Sequence, residues 1–259
     1  MNAQDFGNGS PRTAQPKSSA RMVGKLGLGG AVLAAVAVAR PGQASTISVA
    51  NYNFASPTLS AGNYTSSITD WTGLQGNSGV QNFQGGTSQF SSTTLAAYNT
   101  ANGGYQAAYV IAGGSTSPGA IAQDVTTTDG SSWQPNTTYT LTLLMGQRLD
   151  EPASIGSMAL VSGTLSGSTI SNPVVEAANN NLTSTSGNFT SYSIEFTTGV
   201  AAPTGDLIID LGNLTSTGTA NQVEFGDVQL TANPVPEPAA LSLLAIGGLG
   251  LLLKRRRMA

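Results

Sequence analysis

The sequence predicts an all-β fold, an antiparallel β-sandwich, on three observations. Short runs rich in Thr, Val, Ile and Tyr alternate apolar with polar residues, as a pleated sheet with one buried face requires. Gly, Asn, Asp and Pro punctuate these runs, and they are the residues that turns demand. No regular helical pattern intervenes, which disfavours a parallel sheet with crossover helices. At 259 residues the chain holds one domain of ordinary size plus segments at its ends.

From the start, Arg21 and Lys25 precede an apolar stretch, residues 26–39, and then Arg40-Pro41-Gly42-Gln43-Ala44-Ser45. Charged, apolar and small residues in that order read as a secretory signal. Residues 1–44 are therefore expected to be a signal peptide with an extended polar leader, cleaved after Ala44, with Met22 as an alternative start. The opening strand is expected at residues 46–54, closed by Asn51, Asn53 and Pro57. Further strands at 105–111, 120–125, 139–145, 158–161, 191–197, 207–211 and 223–230 are each flanked by turn residues. They complete a sandwich domain over residues 45–232 without long helices. Tyr139, Leu141 and Leu143 share one face of their strand, and Tyr192, Ile194 and Phe196 share one face of another; both faces should line the core. Asp206 and Asp210 also share a face, expected to be the solvent side as solubilising charges.

The closing segment, residues 233–259, begins with Asn233-Pro234-Val235-Pro236-Glu237-Pro238. Each Pro removes a backbone donor and restricts its predecessor, so an extended linker is expected. Residues 239–253 then run uncharged into Lys254, Arg255, Arg256 and Arg257, and basic residues favour the cytoplasmic side. Fifteen helical residues cover about 22 Å of a hydrocarbon core about 30 Å thick. The expected transmembrane helix is thus a marginal, temporary anchor. Val235, Pro236, Glu237 and Pro238, the short apolar span and the terminal basic cluster together resemble the PEP-CTERM sorting signal. The resemblance implies recognition at Pro236, Glu237 and Pro238 by an exosortase-type membrane protease, in bacteria that make extracellular polysaccharide.

Within the domain, Asn51-Tyr52-Asn53-Phe54, Trp71, residues 136–141 and Val223-Glu224-Phe225-Gly226-Asp227-Val228-Gln229-Leu230 resemble the galactose-binding-like jelly rolls. Many members of that group bind carbohydrate, and some hold a structural calcium between an acid after the opening Phe and an Asp of the closing strand. Asp227 matches the second position, but the first is Ala55, so one ligand of the family's site is missing.

Composition excludes several functions. Between residues 45 and 236 eleven acids face one cation, Arg148, a net charge of −10. Such a surface is repelled by phosphate backbones, so no nucleic-acid partner is expected. Histidine is absent, which removes Ser-His-Asp triads, His-ligated zinc and the usual neutral-pH base. Cysteine is absent too, and with it disulfides and thiolate metal sites. Asp150 with Glu151, or Asp206 with Asp210, are the acid pairs closest in sequence that glycoside hydrolysis could use. Asp150 and Glu151 lie beside Arg148 and Pro152 after a strand and read more simply as a solvated turn with a local ion pair. Sugar binding would need exposed aromatic platforms, for which Trp71 and Trp133 are the leading candidates, with Tyr98, Tyr105 and Tyr109 behind them.

The functional expectation is a non-enzymatic, cofactor-free protein delivered to the cell surface, with a structural or adhesive role in extracellular polysaccharide. A carbohydrate-binding module is the alternative, and a carboxylate-dependent glycosidase ranks below it. The expected partners are signal peptidase, an exosortase, the membrane before processing, and polysaccharide.

Overall fold

The computed structural model describes residues 43–86, 88–112, 118–215 and 221–235. The expected signal segment up to residue 42, the motif residues Pro236, Glu237 and Pro238, the apolar span and Lys254 to Arg257 lie outside the described residues. Among the described residues no helix is long and apolar enough to cross a membrane.

In chain order the strands are β1 (Ser45–Ile47), β2 (Tyr64–Thr65), β3 (Thr72–Gln75), β4 (Asn77–Asn82), β5 (Gln106–Ile111), β6 (Gly119–Asp124), β7 (Thr137–Gln147), β8 (Gly156–Ser166), β9 (Thr169–Leu182), β10 (Asn188–Thr197), β11 (Asp206–Asn213) and β12 (Gln222–Pro234). Two helices, α1 (Ser92–Asn102) and α2 (Val125–Asp129), interrupt them. The strands form two antiparallel sheets. One has the order β10-β7-β12-β5-β4-β2, with β1 beside the far end of β12, and the other has the order β3-β6-β11-β8-β9. This is a β-sandwich of the jelly-roll kind.

Alternation builds the core. Tyr139, Leu141, Leu143 and Met145 of β7 are all buried, and the register of β7 with β10 sets Tyr139, Leu141 and Leu143 opposite Phe196, Ile194 and Tyr192. The period-2 reading therefore puts both sets on the inner face, as expected. The second sheet contributes Ile121, Met158, Leu160, Leu207, Ile209 and Leu211 to the same core. β12 bonds β7 along one edge, and β5 and then β1 along the other. Its ladder is broken between Gly226 and Gln229 by a bulge, where Asp227 takes φ +48°.

The strands β2, β3, β4 and β9 and the helices α1 and α2 have no counterpart among the expected strands, and the opening strand is shorter than expected. The opening strand ends at Ile47, and residues 50–53 turn, with Asn51 and Phe54 at positive φ. β9 is mostly exposed and polar, so it shows little apolar alternation. Helix α1 has no apolar stripe in its sequence. It is held instead by its ends, where the Ser91 hydroxyl accepts from the Thr94 amide at 3.1 Å and Gly103 closes it at φ +73°. Leu95 and Tyr98 then pin it to the outer face of the first sheet.

Candidate functional site

Under α1 the first sheet carries a second, smaller packed layer. Val223 and Phe225 belong to the main core, so by alternation Glu224 between them points the other way, toward the helix. One row of cross-strand partners crosses the sheet there: Phe189 (β10), Gly146 (β7), Glu224 (β12), Tyr109 (β5) and Gly79 (β4). A Cβ on Gly146 would lie 2.5 Å from the Phe189 ring, and one on Gly79 would lie 2.5 Å from the Tyr109 hydroxyl. The Phe189 ring therefore lies over Gly146, next to Glu224, and the Tyr109 ring lies over Gly79, away from Glu224, approaches that any side chain would block. Phe189 also stacks on Tyr98 and Phe90, with centroids at 4.0 and 4.7 Å, and Phe83 meets Phe90 edge to face.

Glu224 is completely buried, and neither carboxyl oxygen has a hydrogen-bond partner. Burial pushes its pKa up to about 8; the Arg148 charge and the Gln222 amide oppose the rise, and Glu151 and Asp150 add to it. The Gln222 amide is near enough to favour ionisation but is not aligned to bond, since its Nε2 is also unpartnered. At neutral pH the group is thus a carboxylic acid, which can donate a proton. Burial likewise raises the Tyr98 hydroxyl, helped by Asp227 and Glu224, and that hydroxyl donates to the Gln106 carbonyl at 2.7 Å.

Arg148, the one cation among the described residues, stands at the edge of this layer. Its Nε and Nη2 donate to the two oxygens of Asp150 at 2.8 and 2.7 Å, and its Nη1 donates to Gln222 Oε1 at 3.2 Å. The Arg148 hydrogen bonds hold the Asp150 carboxyl below its usual range. The expected ion pair is present, but its cation is buried.

A buried acid walled by aromatic faces can protonate a π-bond or imine and shelter the cation that results, because ring faces attract positive charge. In the sequence Glu224 stands out only as one of the eleven acids and as part of the closing-strand resemblance. The available signal is a lone acid between Val223 and Phe225, whose apolar side chains mark the other face of the strand.

The other expected residues fall elsewhere. Trp71 is buried against Phe54 at 5.3 Å, and its indole N–H donates to the Ala50 carbonyl. Trp133 is buried against Tyr139 and Phe196, and its N–H donates to the Asp206 carbonyl. Neither ring offers an exposed face on which a sugar could stack. Tyr98 and Tyr109 join the Glu224 layer, and Tyr105 packs at its edge. Asp206 and Asp210 share the face of β11 that turns away from the main core, where Asp210 is half-buried. It lies between Ala122 and Ala159, and burial raises its pKa to about 6. Val235, ahead of the outlying motif residues, is exposed, and its N–H donates to the Asn136 carbonyl at 2.7 Å.

The residues at the calcium position of the resembled jelly rolls do not fit the ion. Beyond the missing acid at Ala55, the convergent carbonyls already have donors. Asn102 Nδ2 donates to the Asn53, Gly104 and Gln106 carbonyls at 3.1, 3.3 and 2.9 Å. Gln106 Nε2 donates to the Phe54 and Pro57 carbonyls at 2.7 and 2.9 Å. The Asp227 amide bonds Asn102 Oδ1, and the Asp227 carboxylate accepts from Gln229. Two side-chain amides do what a cation would do for those oxygens.

Comparison with known proteins adds two matches on the sequence. Residues 45–231 match the HpiC1-like family model, described as HpiC1 cyclase. Residues 234–257 match the PEP-CTERM protein-sorting motif, which marks the chain for export, transient anchoring, exosortase processing and placement at the cell surface or outside the cell. No curated protein matches the chain. Among solved structures, an apo cyclase from Fischerella sp. is 22% identical with a TM-score of 0.56, covering 74% of this chain and 98% of that one. A Stig cyclase Fisc from Fischerella sp. TAU, in complex with a pyrrolidinylidene-indole, is 22% identical with a TM-score of 0.57, covering 75% and 100%. A cyclase from the same source in complex with 4-(1H-indol-3-yl)butan-2-one is 22% identical with a TM-score of 0.54, covering 74% and 99%. At that identity the likeness is one of fold.

Proposed function

The chain belongs to the HpiC1-like family, and on that premise we propose that its exported domain is a cyclase-type acid catalyst for a small, uncharged, π-rich substrate. Glu224 delivers its proton to a carbon–carbon or carbon–nitrogen double bond. An internal π-bond attacks the resulting cation, closing a carbon–carbon bond, and loss of a proton to the Glu224 carboxylate restores the acid. No atoms are gained or lost overall. The observation that carries this reading is a buried, unpartnered carboxyl group, neutral at pH 7 and set beside the stacked rings of Phe189 and Tyr98. The indole compounds held by the Fischerella cyclases support the planar aromatic class. Because Glu224, Phe90 and Tyr98 are buried, a substrate must displace part of the α1 cover to reach the acid.

The test uses the full chain with 4-(1H-indol-3-yl)butan-2-one in heavy water. The expected result is protein-dependent deuterium incorporation into a ring carbon, reduced about 10²-fold or more in Glu224→Gln, with binding retained. Absence of exchange in the wild type overturns the proposal, whether or not the compound binds.

Delivery follows the same reading at residue level. Residues 1–44 are removed by signal peptidase, Val235, Pro236, Glu237 and Pro238 form the exosortase motif, and Lys254, Arg255, Arg256 and Arg257 hold the tail at the cytoplasmic face. A second reading, a structural or adhesive role in extracellular polysaccharide, is favoured by the exposed, amide-rich strand β9. Retention of a Glu224→Gln protein on native polysaccharide would separate that role from catalysis.

A further inference from the structure

We infer that Asp150 is a positioning residue: it holds the Arg148 guanidinium away from Glu224 and so keeps Glu224 in its proton-donating form. The inference rests on the reading of Glu224 as the acid of this site.

The register places the three groups. Gly146 is the cross-strand partner of Glu224, and Arg148, the residue after the end of β7, reaches Gln222, two residues before Glu224, by its hydrogen bond. Glu224 and Arg148 are therefore diagonal neighbours on one face of the sheet, within reach of a long side chain. A buried carboxyl so close to a buried guanidinium would ordinarily take it in a two-pronged ionic pair. Here the prongs point elsewhere. Nε and Nη2 both go to Asp150, Nη1 goes to Gln222, and Nη2 also lies 3.9 Å from Glu151.

One cation thus has three carboxyl groups to choose between, those of Asp150, Glu151 and Glu224. The Asp150 side chain is 40% exposed while that of Arg148 is 11% exposed, so ionising Asp150 costs little hydration, whereas ionising Glu224 means charging a group wholly removed from water. The solvated carboxylate takes the guanidinium, and the buried one is left without a partner, which accounts for the two orphaned Glu224 oxygens. The other titratable or charged groups facing Glu224 are Tyr98 from α1, Tyr109 from β5, Glu151 from the turn after β7, and Asp227 along β12. None of them carries positive charge, so Arg148 alone can draw the proton off.

The experiment follows the carbonyl stretch of the protonated Glu224 carboxyl by infrared difference spectroscopy across pH on the full chain, with Glu224→Gln assigning the band. In the wild type the band is lost near pH 8. In Asp150→Asn, which keeps the shape and removes the charge, the band should disappear at least one pH unit lower, a tenfold change in the protonation equilibrium. In Asp150→Asn with Arg148→Gln it should return to the wild-type pH or above, because nothing is left to capture Glu224. An unmoved band in Asp150→Asn overturns the inference. So does a fall that persists in the double variant, since that would mean water entering an opened turn. The catalytic reading fails separately: if the band shifts as expected but the wild type exchanges no deuterium, Asp150 still positions Arg148 and Glu224 is not a catalyst.

Discussion

Replacing Glu224 with Gln should change how the protein's stability depends on pH, and the size of the change follows from the site. The folded carboxyl has its pKa raised to about 8, against about 4.3 in an unfolded chain. Between those values the folded state holds a proton that the unfolded state has released, so stability must fall as pH rises. The contribution is complete below about pH 4, is lost progressively, and levels off above about pH 8. A gap of nearly four units, at about 1.4 kcal/mol each, gives an upper bound of about 5 kcal/mol. Asp210, raised to about 6 by burial, adds a loss of the same sign that ends near pH 6. Asp150, held low by Arg148, acts oppositely and only under acid conditions. From pH 6 to 8 the slope therefore belongs chiefly to Glu224. Urea unfolding at pH 5, 6, 7 and 8 tests this. The wild-type midpoint should fall steadily, while that of Glu224→Gln stays nearly level from pH 6 and exceeds the wild type at pH 8. With a slope of about 2 kcal/mol per molar urea the separation approaches about 2 M. Parallel midpoints for the two proteins would refute a neutral buried Glu224.

The remaining predictions concern packing and polar satisfaction. Gly79→Ala puts a methyl into the Thr65 carbonyl and the Tyr109 hydroxyl, and should cost about 3 kcal/mol or abolish folding, measured as the unfolding midpoint. Asn102→Ala strips donors from three carbonyls and an acceptor from the Asp227 amide; it should cost at least about 2 kcal/mol, while a chelator leaves the wild-type melting temperature unchanged. Trp133→Ala removes a core ring that meets Tyr139 and Phe196 and should cost about 3 to 5 kcal/mol, with any retention on polysaccharide unchanged in the protein that remains folded.

The two-sheet fold was legible because its signal is local. The Thr-x-Thr alternation opposite Tyr139, Leu141 and Leu143 specifies a strand with one dry face, and the structure buries that face. The same rule failed where burial is not one-sided. β9 is exposed along most of its length, so its sequence carries no apolar period. Helix α1 has too few apolar residues to show a stripe, and it exists because Tyr98 and Leu95 reach a sheet face that only the folded chain assembles. Trp71 and Trp133 illustrate the converse: sequence can offer an aromatic residue as a platform, yet it does not say whether the indole N–H will meet water or a carbonyl.

The candidate site separates what residue order decides from what folding decides. Composition alone removed histidine and cysteine chemistry and left carboxyl groups as the available acids, because side-chain chemistry travels with the residue. Which carboxyl would act depended on strands far apart in the chain. Glu224 is remote in sequence from Arg148, Tyr109 and Gly79, and they meet only through the register of four strands. A carboxyl's pKa is set by the water and charge around it, and those surroundings come into being only when β12 is enclosed between its neighbours under α1.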